Sequence, residues 1–230
     1  MTGPRRLILP DSGAARHGDG RVSAPSAERN AGPILDVLRR HAPASGTALE
    51  IASGTGQHIV TFAAALPGID WIPTEADPAR FASITAWRAA ARCPNLHQPR
   101  TLDATALPWP EEFRGVDLIL LVNLLHLISD AEAENILTGA ASALAPGGRF
   151  LLYGPFRRDG LLTSDGDASF DARLRARDPA IGYKDDRWVR DRAGAAGLYL
   201  HEVTDMPANN LAFLFRVLDR DTFWKMNELT

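Results

Sequence analysis

Residues 49–58 read LEIASGTGQH. An apolar, strand-like segment carrying Glu50 runs into Ala52-Ser53, then Gly54-Thr55-Gly56, then Gln57-His58. A glycine-bearing turn between a strand and a helix is a common way to hold a nucleotide, because the backbone comes close to the ligand and helix amides face it. Two departures narrow the reading. Position 52 is alanine, and no third glycine follows Gly56 at the dinucleotide spacing. No lysine follows Gly56, so a phosphate-cradling loop fails as well.

The surrounding chain alternates strands and helices. A helix is expected within 26–43, where Pro33 suits a first helical turn and Ile34, Leu35 and Leu38 share one face. Strands are read at 47–52, 69–75, 96–103, 116–123, 149–156, 198–205 and 211–218. Helices are read at 57–65, 77–92, 129–148 and 186–196. The run VDLILLVN (116–123) is nearly all apolar, the pattern of a strand covered on both faces. Five residues, 206–210, separate the last two strands, enough for a hairpin and too few for a crossover helix, so the last strand is expected antiparallel. The fold class is therefore α/β: a doubly wound, Rossmann-like sheet of seven strands with the last antiparallel. Residues 1–22 read as a flexible arm, 23–218 as one domain with an insertion at about 157–182, and 219–230 as a tail.

Composition agrees with that frame. At 230 residues, 45% hydrophobic and 23% charged, the chain can bury a full core. A net charge of −3 argues against a broad nucleic-acid footprint. The single cysteine, Cys93, excludes an internal disulfide and a multi-cysteine metal site. Leu7-Ile8-Leu9 is too short for a signal-peptide core, and no long apolar run suits a membrane span. A cytoplasmic protein without membrane association is the expectation; oligomeric state is not readable.

In an open doubly wound sheet, ligands bind outside the carboxyl ends of the strands. There the chain places acids: Glu50, then Glu75, then Asp103. Nineteen residues separate Gly56 from Glu75, close to the spacing of a ribose-binding acid. The demand of a pyrophosphate for three glycines is not met, whereas an adenosyl amino acid asks less of the loop. S-adenosyl-L-methionine fits. Ala52, Ser53, Gly54, Thr55 and Gly56 would shape the turn, Glu50 would face its ammonium, and the helix start near His58 would face its carboxylate. Glu75 would take the ribose, Asp103 with Ala104 the adenine, and Asn123 would close the cofactor side beyond the fourth strand. No metal is called for.

The order of LEIASGTG, WIPTEAD, TLDAT, VDLILLVNLLH and LAPGGRFLLYG resembles the class I S-adenosylmethionine-dependent methyltransferases. More narrowly, PSAERNAGPILDVL, LYGPF, SFDARLRARDPAIGYKD and DMPANN are similar to an uncharacterised family that includes methyltransferase-like protein 26. The resemblance runs from about Ser23 to Leu218. It implies the fold and the cofactor, treats alanine at position 52 as usual, and leaves the substrate open. Where that family is expected to carry aspartate after the second strand, this chain has Glu75.

Substrate-side candidates are fewer. His126, three residues past Asn123, is either a general base or a structural histidine that supports its loop. Arg29 and Asn30 fall in a segment read as preceding the first helix, where it can cover the cofactor. Tyr153 ends the fifth strand. Asn209 and Asn210 either make a turn or orient a substrate. The arginines at 173, 175 and 177 read as a solvated, salt-bridged helix. A small-molecule acceptor for O- or N-methyl transfer is the leading expectation, since no Asn-Pro-Pro-Tyr motif follows the fourth strand. The alternative is a non-catalytic, cofactor-binding regulator or scaffold; a nicotinamide-dependent reductase is disfavoured by the loop.

Overall fold

The computed structural model describes residues 13–218. Residues 1–12 of the expected arm and the tail 219–230 lie outside the described residues. Fifteen regular elements follow one another: β1 (Ala15–Arg16), β2 (Val22–Ser23), α1 (Pro25–His41), β3 (Gly46–Ile51), α2 (Gln57–Ala65), β4 (Ile69–Glu75), α3 (Phe81–Ala91), β5 (Arg100–Thr101), β6 (Val116–Val122), α4 (Asp130–Ala143), β7 (Leu144–Pro155), α5 (Asp165–Arg177), α6 (Asp186–Ala195), β8 (Tyr199–Met206) and β9 (Asn210–Arg216).

Seven strands form one sheet in the order β5-β4-β3-β6-β7-β9-β8. The pairs from β5 across to β7 are parallel, and β9 is antiparallel to both β7 and β8. The expected seven-stranded, doubly wound sheet with an antiparallel last strand is the observed one. Strand order reverses between β3 and β6, which places the turn of LEIASGTGQH at the switch point.

Both faces of the sheet are covered. Leu118, Ile119, Leu120 and Leu121 of β6 are all buried, which is why that strand is apolar without alternation. One core holds the apolar side chains of α4 and α6 against Leu49, Ile51, Ile119, Leu121, Phe150 and Leu152. The other packs Ile34, Leu35 and Leu38 of α1 and Ile59 and Phe62 of α2 against Ala48, Leu120, Leu151 and Tyr153. Ser129 and Glu132 close a reciprocal capping box that starts α4.

Several boundaries differ from the sequence expectation. Helix α1 begins at Pro25, and Pro33 lies inside it. Pro25 takes the first helical position, and tertiary packing of Ala27 and of the Ile34–Leu38 face outweighs the donor that Pro33 lacks. Arg29 and Asn30 therefore sit within α1 and not in a segment before it. The third strand shrinks to Arg100–Thr101. Trp71 still exchanges backbone bonds with Asn95 and His97, but Pro73 and Pro99 interrupt the ladder until Thr74 and Glu75 resume it. Helix α4 stops at Ala143, and Leu144 already pairs with Val116; residues 145–148 bulge out before Arg149 rejoins the ladder. The insertion carries its own helix, α5.

Within the expected arm, β1 and β2 pair as a small hairpin. It is docked, not loose: the Val22 N–H donates to Ser83 Oγ at 2.9 Å, and Trp87 Nε1 donates to the Val22 carbonyl at 2.8 Å. Among the described residues no helix is long and apolar enough to cross a membrane.

Candidate functional site

The turn after β3 is built by three left-handed residues. Ala52 has φ 53°, Gly54 58° and Gly56 86°. Ala52 thus adopts the backbone of the missing glycine and carries the steric cost of its Cβ. The two glycines differ in purpose. A Cβ on Gly56 would stand 2.8 Å from the Ile84 Cα, so this position is demanded by the approach of α3. A Cβ on Gly54 would meet nothing closer than 3.7 Å. Gly56 is also the N-cap of α2 and offers no side chain of its own; the Gln57 N–H donates weakly to Thr55 Oγ1 at 3.4 Å, the one side-chain acceptor at this helix start among the described residues.

Glu75 is fixed against this turn. Its Oε2 accepts the Gly54 N–H at 3.0 Å, and its Oε1 accepts from Ala76 N at 3.0 Å and Asp77 N at 3.3 Å. Asp77 caps the short turn at Pro78–Arg80 through Ala79 N, as its sequence context suggests. Asp103 Oδ1 accepts both the backbone N–H and the hydroxyl of Thr105, at 3.0 and 2.6 Å. The Ala104 carbonyl accepts from Trp109 Nε1 at 3.0 Å. Ala52, Glu75, Asp103 and Ala104 line one cleft of about 610 Å³, together with Leu124 and Ile128. The structure therefore brings the turn and two of the three expected acids to a single opening at the carboxyl edge of the sheet.

The third acid, Glu50, lies on the other side of the sheet plane, facing α1 and α2. It is 2% exposed, and its Oε2 is buried without a hydrogen-bond partner. Burial pushes its pKa up to about 8; a hydrogen bond from Ser53 opposes the shift and the Glu75 charge adds to it. Two more unpartnered buried atoms share that face: His58 Nε2 on α2 and the Tyr153 hydroxyl on β7. Burial lowers His58 to about 4 and raises Tyr153 to about 12, the latter opposed by the charge of Arg29 on α1. Asn123, with φ 57°, leaves β6 in a left-handed turn and donates its N–H to the Tyr153 carbonyl at 2.9 Å.

His126 sits apart from the 610 Å³ cleft. Its ring lies 5.9 Å from Phe170 and 6.0 Å from Tyr183, centroid to centroid. Burial, reinforced by Lys184 and opposed by Asp171, lowers its pKa to about 3. The ring is therefore neutral and weakly basic at pH 7, an environment of packing more than of proton abstraction. Asn209 Nδ2 donates to Asp167 at 2.9 Å, and Asn210 Nδ2 donates to the carbonyls of Pro207 and Ala208 within its own turn. The Asn209 amide thus ties the turn to α5, and the Asn210 amide holds the turn itself.

Sequence reasoning passed over two acids of α5. Asp171, 3% exposed, accepts from Arg157 Nη2, Arg175 Nε and Tyr183 N at 3.0, 2.9 and 2.6 Å. Burial alone would raise its pKa; those donors outweigh it and hold the carboxyl below its usual value. Asp167 accepts from Tyr183 Oη, Asn209 Nδ2 and Ser164 Oγ. Together they tie the insertion to the β8–β9 turn and to the strand end at Arg157. The signal in sequence was the 171/175 spacing of an acid and an arginine on one helix face.

A seven-stranded sheet with a glycine turn at its switch point and acids on the next two strands defines a Rossmann-like methyltransferase fold. The chain belongs to the protein family described as "Protein of unknown function (DUF938)", whose model matches residues 21–217. Solved structures share the fold at low identity. An O-methyltransferase family protein from Burkholderia thailandensis is 16% identical with TM-score 0.71, the match covering 84% of this chain and 57% of that one. CalO1, a methyltransferase in calicheamicin biosynthesis solved in its SAH-bound form, is 17% identical with TM-score 0.64, covering 83% and 54%. The YcgJ protein from Bacillus subtilis is 14% identical with TM-score 0.64, covering 84% and 99%. The chain thus spans little more than half the length of the first two and nearly all of the third.

Proposed function

We propose that this protein is an S-adenosyl-L-methionine-dependent methyltransferase acting on a small molecule, by transfer to oxygen or nitrogen. The observation that carries the reading is the shared cleft: Ala52, Glu75 and Asp103 come to one opening at the switch point of the sheet. The residues fit the cofactor by their own chemistry. Glu50 has a buried oxygen with no partner, which an ammonium would satisfy. The start of α2, whose N-cap Gly56 has no capping side chain, suits a carboxylate. Glu75, pinned by three backbone amides, presents a fixed carboxylate edge toward a ribose, and Asp103 with Ala104 suits an adenine edge. The SAH-bound state of CalO1, a relative in fold, supports the same cofactor.

The bound cofactor supplies an activated methyl on a positively charged sulfur. The chain's contribution is alignment and exclusion of water. The turn from Ala52 to Gly56 and the Glu75 carboxylate orient the nucleoside end, and Glu50, His58 and the start of α2 orient the amino-acid end. Tyr153 near the end of β7 and Asn123 just past β6 are the proposed substrate-side and cofactor-side residues at the carboxyl edge of the sheet. The finer family reading, kinship with methyltransferase-like protein 26, rests on the shared segments around the turn, LYGPF and DMPANN.

Calorimetry with S-adenosylhomocysteine tests the reading. The wild type is expected to bind one equivalent in preference to NADH, and Glu75→Ala to weaken binding by about 10-fold or more, the loss of one charge-assisted contact. Unchanged affinity in Glu75→Ala, or a preference for NADH, would overturn it.

A further inference from the structure

The opposite end of the sheet carries cations that methyl transfer does not use. Arg149 on β7 stands directly across the ladder from Arg216 on β9. Arg149 Nη1 donates to the His41 carbonyl in the last turn of α1, and Arg216 Nη2 lies 3.1 Å from His201 Nε2 on β8. The His41 and His201 rings meet edge to face at 5.9 Å. Arg40, on the last turn of α1, adds a third guanidinium.

Among the described residues one carboxylate serves this group. Glu202 lies 3.0 Å from His41 Nε2 and 3.8 Å from Arg40. Neither Arg149 nor Arg216 has a carboxylate partner among the described residues, and the Nε atom of each is buried without a hydrogen bond. Like charges directly opposite on a ladder repel. Burial, with the Arg216 charge added, holds Arg149 below its ordinary pKa. Among the described residues three guanidiniums against one carboxylate leave two positive charges uncompensated, and arginine is the cation suited to recognising a phosphate.

We propose that Arg149, Arg216 and Arg40, with the His41 and His201 rings, form a binding site for a doubly charged oxyanion, the phosphate monoester of a small molecule. A dianion balances the excess charge; a lone carboxylate leaves one charge over. The site lies at the amino edge of β7, away from the cofactor cleft, so it is independent of the methyl-transfer reading.

The test titrates the full chain with inorganic phosphate at constant ionic strength, by calorimetry and by the imidazole signals of the histidines. One saturable site is expected, with shifts at His41 and His201 and none at His58 or His126. Arg149→Gln and Arg216→Gln should each weaken it by about 10-fold or more. Acetate should fail to saturate it. Arg40→Gln, on a half-exposed side chain (51%), should weaken it without touching the fold. Unchanged circular dichroism and thermal unfolding in the variants confirm that they are folded. A linear, unsaturable response, equal binding of acetate, or full affinity in both Arg149→Gln and Arg216→Gln would overturn the proposal. Soluble glycerol phosphate should compete with inorganic phosphate; binding confined to phosphatidate vesicles would overturn the small-molecule assignment.

Discussion

Glu50 shows how much a single buried carboxyl can report. With one oxygen unpartnered and a pKa near 8, it is protonated at neutral pH in the free protein. An ammonium beside it favours the ionised form, so cofactor binding should release a proton. The expected outcome is an S-adenosylhomocysteine affinity that rises with pH from about 6 to about 8 and then levels. A flat profile in Glu50→Gln, beside a rising one in the wild type, would be the signature; a flat wild-type profile would remove Glu50 from the site. Ala52 invites the converse experiment. Its φ of 53° is unfavourable for an L-residue. Ala52→Gly relieves about 1 kcal/mol of that strain and gives back about half or more in chain entropy. Urea unfolding should find the variant equal to the wild type or up to about 0.5 kcal/mol more stable. A clear loss would mean that the Ala52 methyl packs usefully.

At the scale of elements, the contact of the glycine turn with α3 is the point most exposed to substitution. Gly56→Ala places a methyl 2.8 Å from the Ile84 backbone and forces a residue with a side chain to φ 86°. Neither the helix nor the turn can yield by that much without moving Glu75 or α2. The expected cost is about 2–4 kcal/mol, the sum of overpacking and left-handed strain, with cofactor affinity lost in parallel. Gly54→Ala, whose methyl would meet only ordinary contacts at 3.7 Å and beyond, should leave stability changed by only about 1–2 kcal/mol. Thermal unfolding of the two variants side by side separates the glycine whose Cβ would clash from the one whose Cβ would not; equal losses would refute the distinction. The same scale explains the third strand. Its residues read as strand over eight positions, yet Pro73 and Pro99 leave only two residues paired at the ladder's resumption. A proline inside such a run points to an edge or an early end, and only the register shows where the ladder breaks.

For the whole molecule, three buried titrations set the pH profile of stability. His58 and His126 have folded pKa values of about 4 and 3, below the ordinary 6.5, so the unfolded chain takes up protons first as pH falls. Stability from these two is present above about pH 6.5 and lost toward pH 4. Glu50, raised from 4.5 to about 8, acts in the opposite sense: above pH 4.5 the unfolded chain loses its proton first, so stability falls as pH rises toward 8. Below pH 6.5 the two histidines outweigh Glu50; between 6.5 and 8 Glu50 acts alone. Denaturant titrations of the cofactor-free protein should therefore show a maximum near pH 6.5, and saturating S-adenosylhomocysteine should flatten the alkaline limb. A maximum at pH 8 or above without ligand would show that Glu50 is ionised in the folded chain.

Strand count, the antiparallel end and the acids of the switch point were legible in the residues alone, because alternation of apolar runs, turn lengths and side-chain chemistry are local quantities. A five-residue link cannot hold a crossover helix, and VDLILLV cannot sit at a wet surface. The sequence also announced Glu75 by its spacing from the glycine turn and Asp103 by its place after the third expected strand. What surrounds each side chain is not local. The alanine at position 52 accepts a glycine's backbone because the turn is held by Thr74 and Glu75 from another strand. His126 is a weak base because the insertion closes Phe170 and Tyr183 over it. Asn209 binds Asp167 across 42 positions of chain, and Arg149 faces Arg216 across 67. Those assignments depend on burial and on partners brought together by the sheet, and only the tertiary structure decides them.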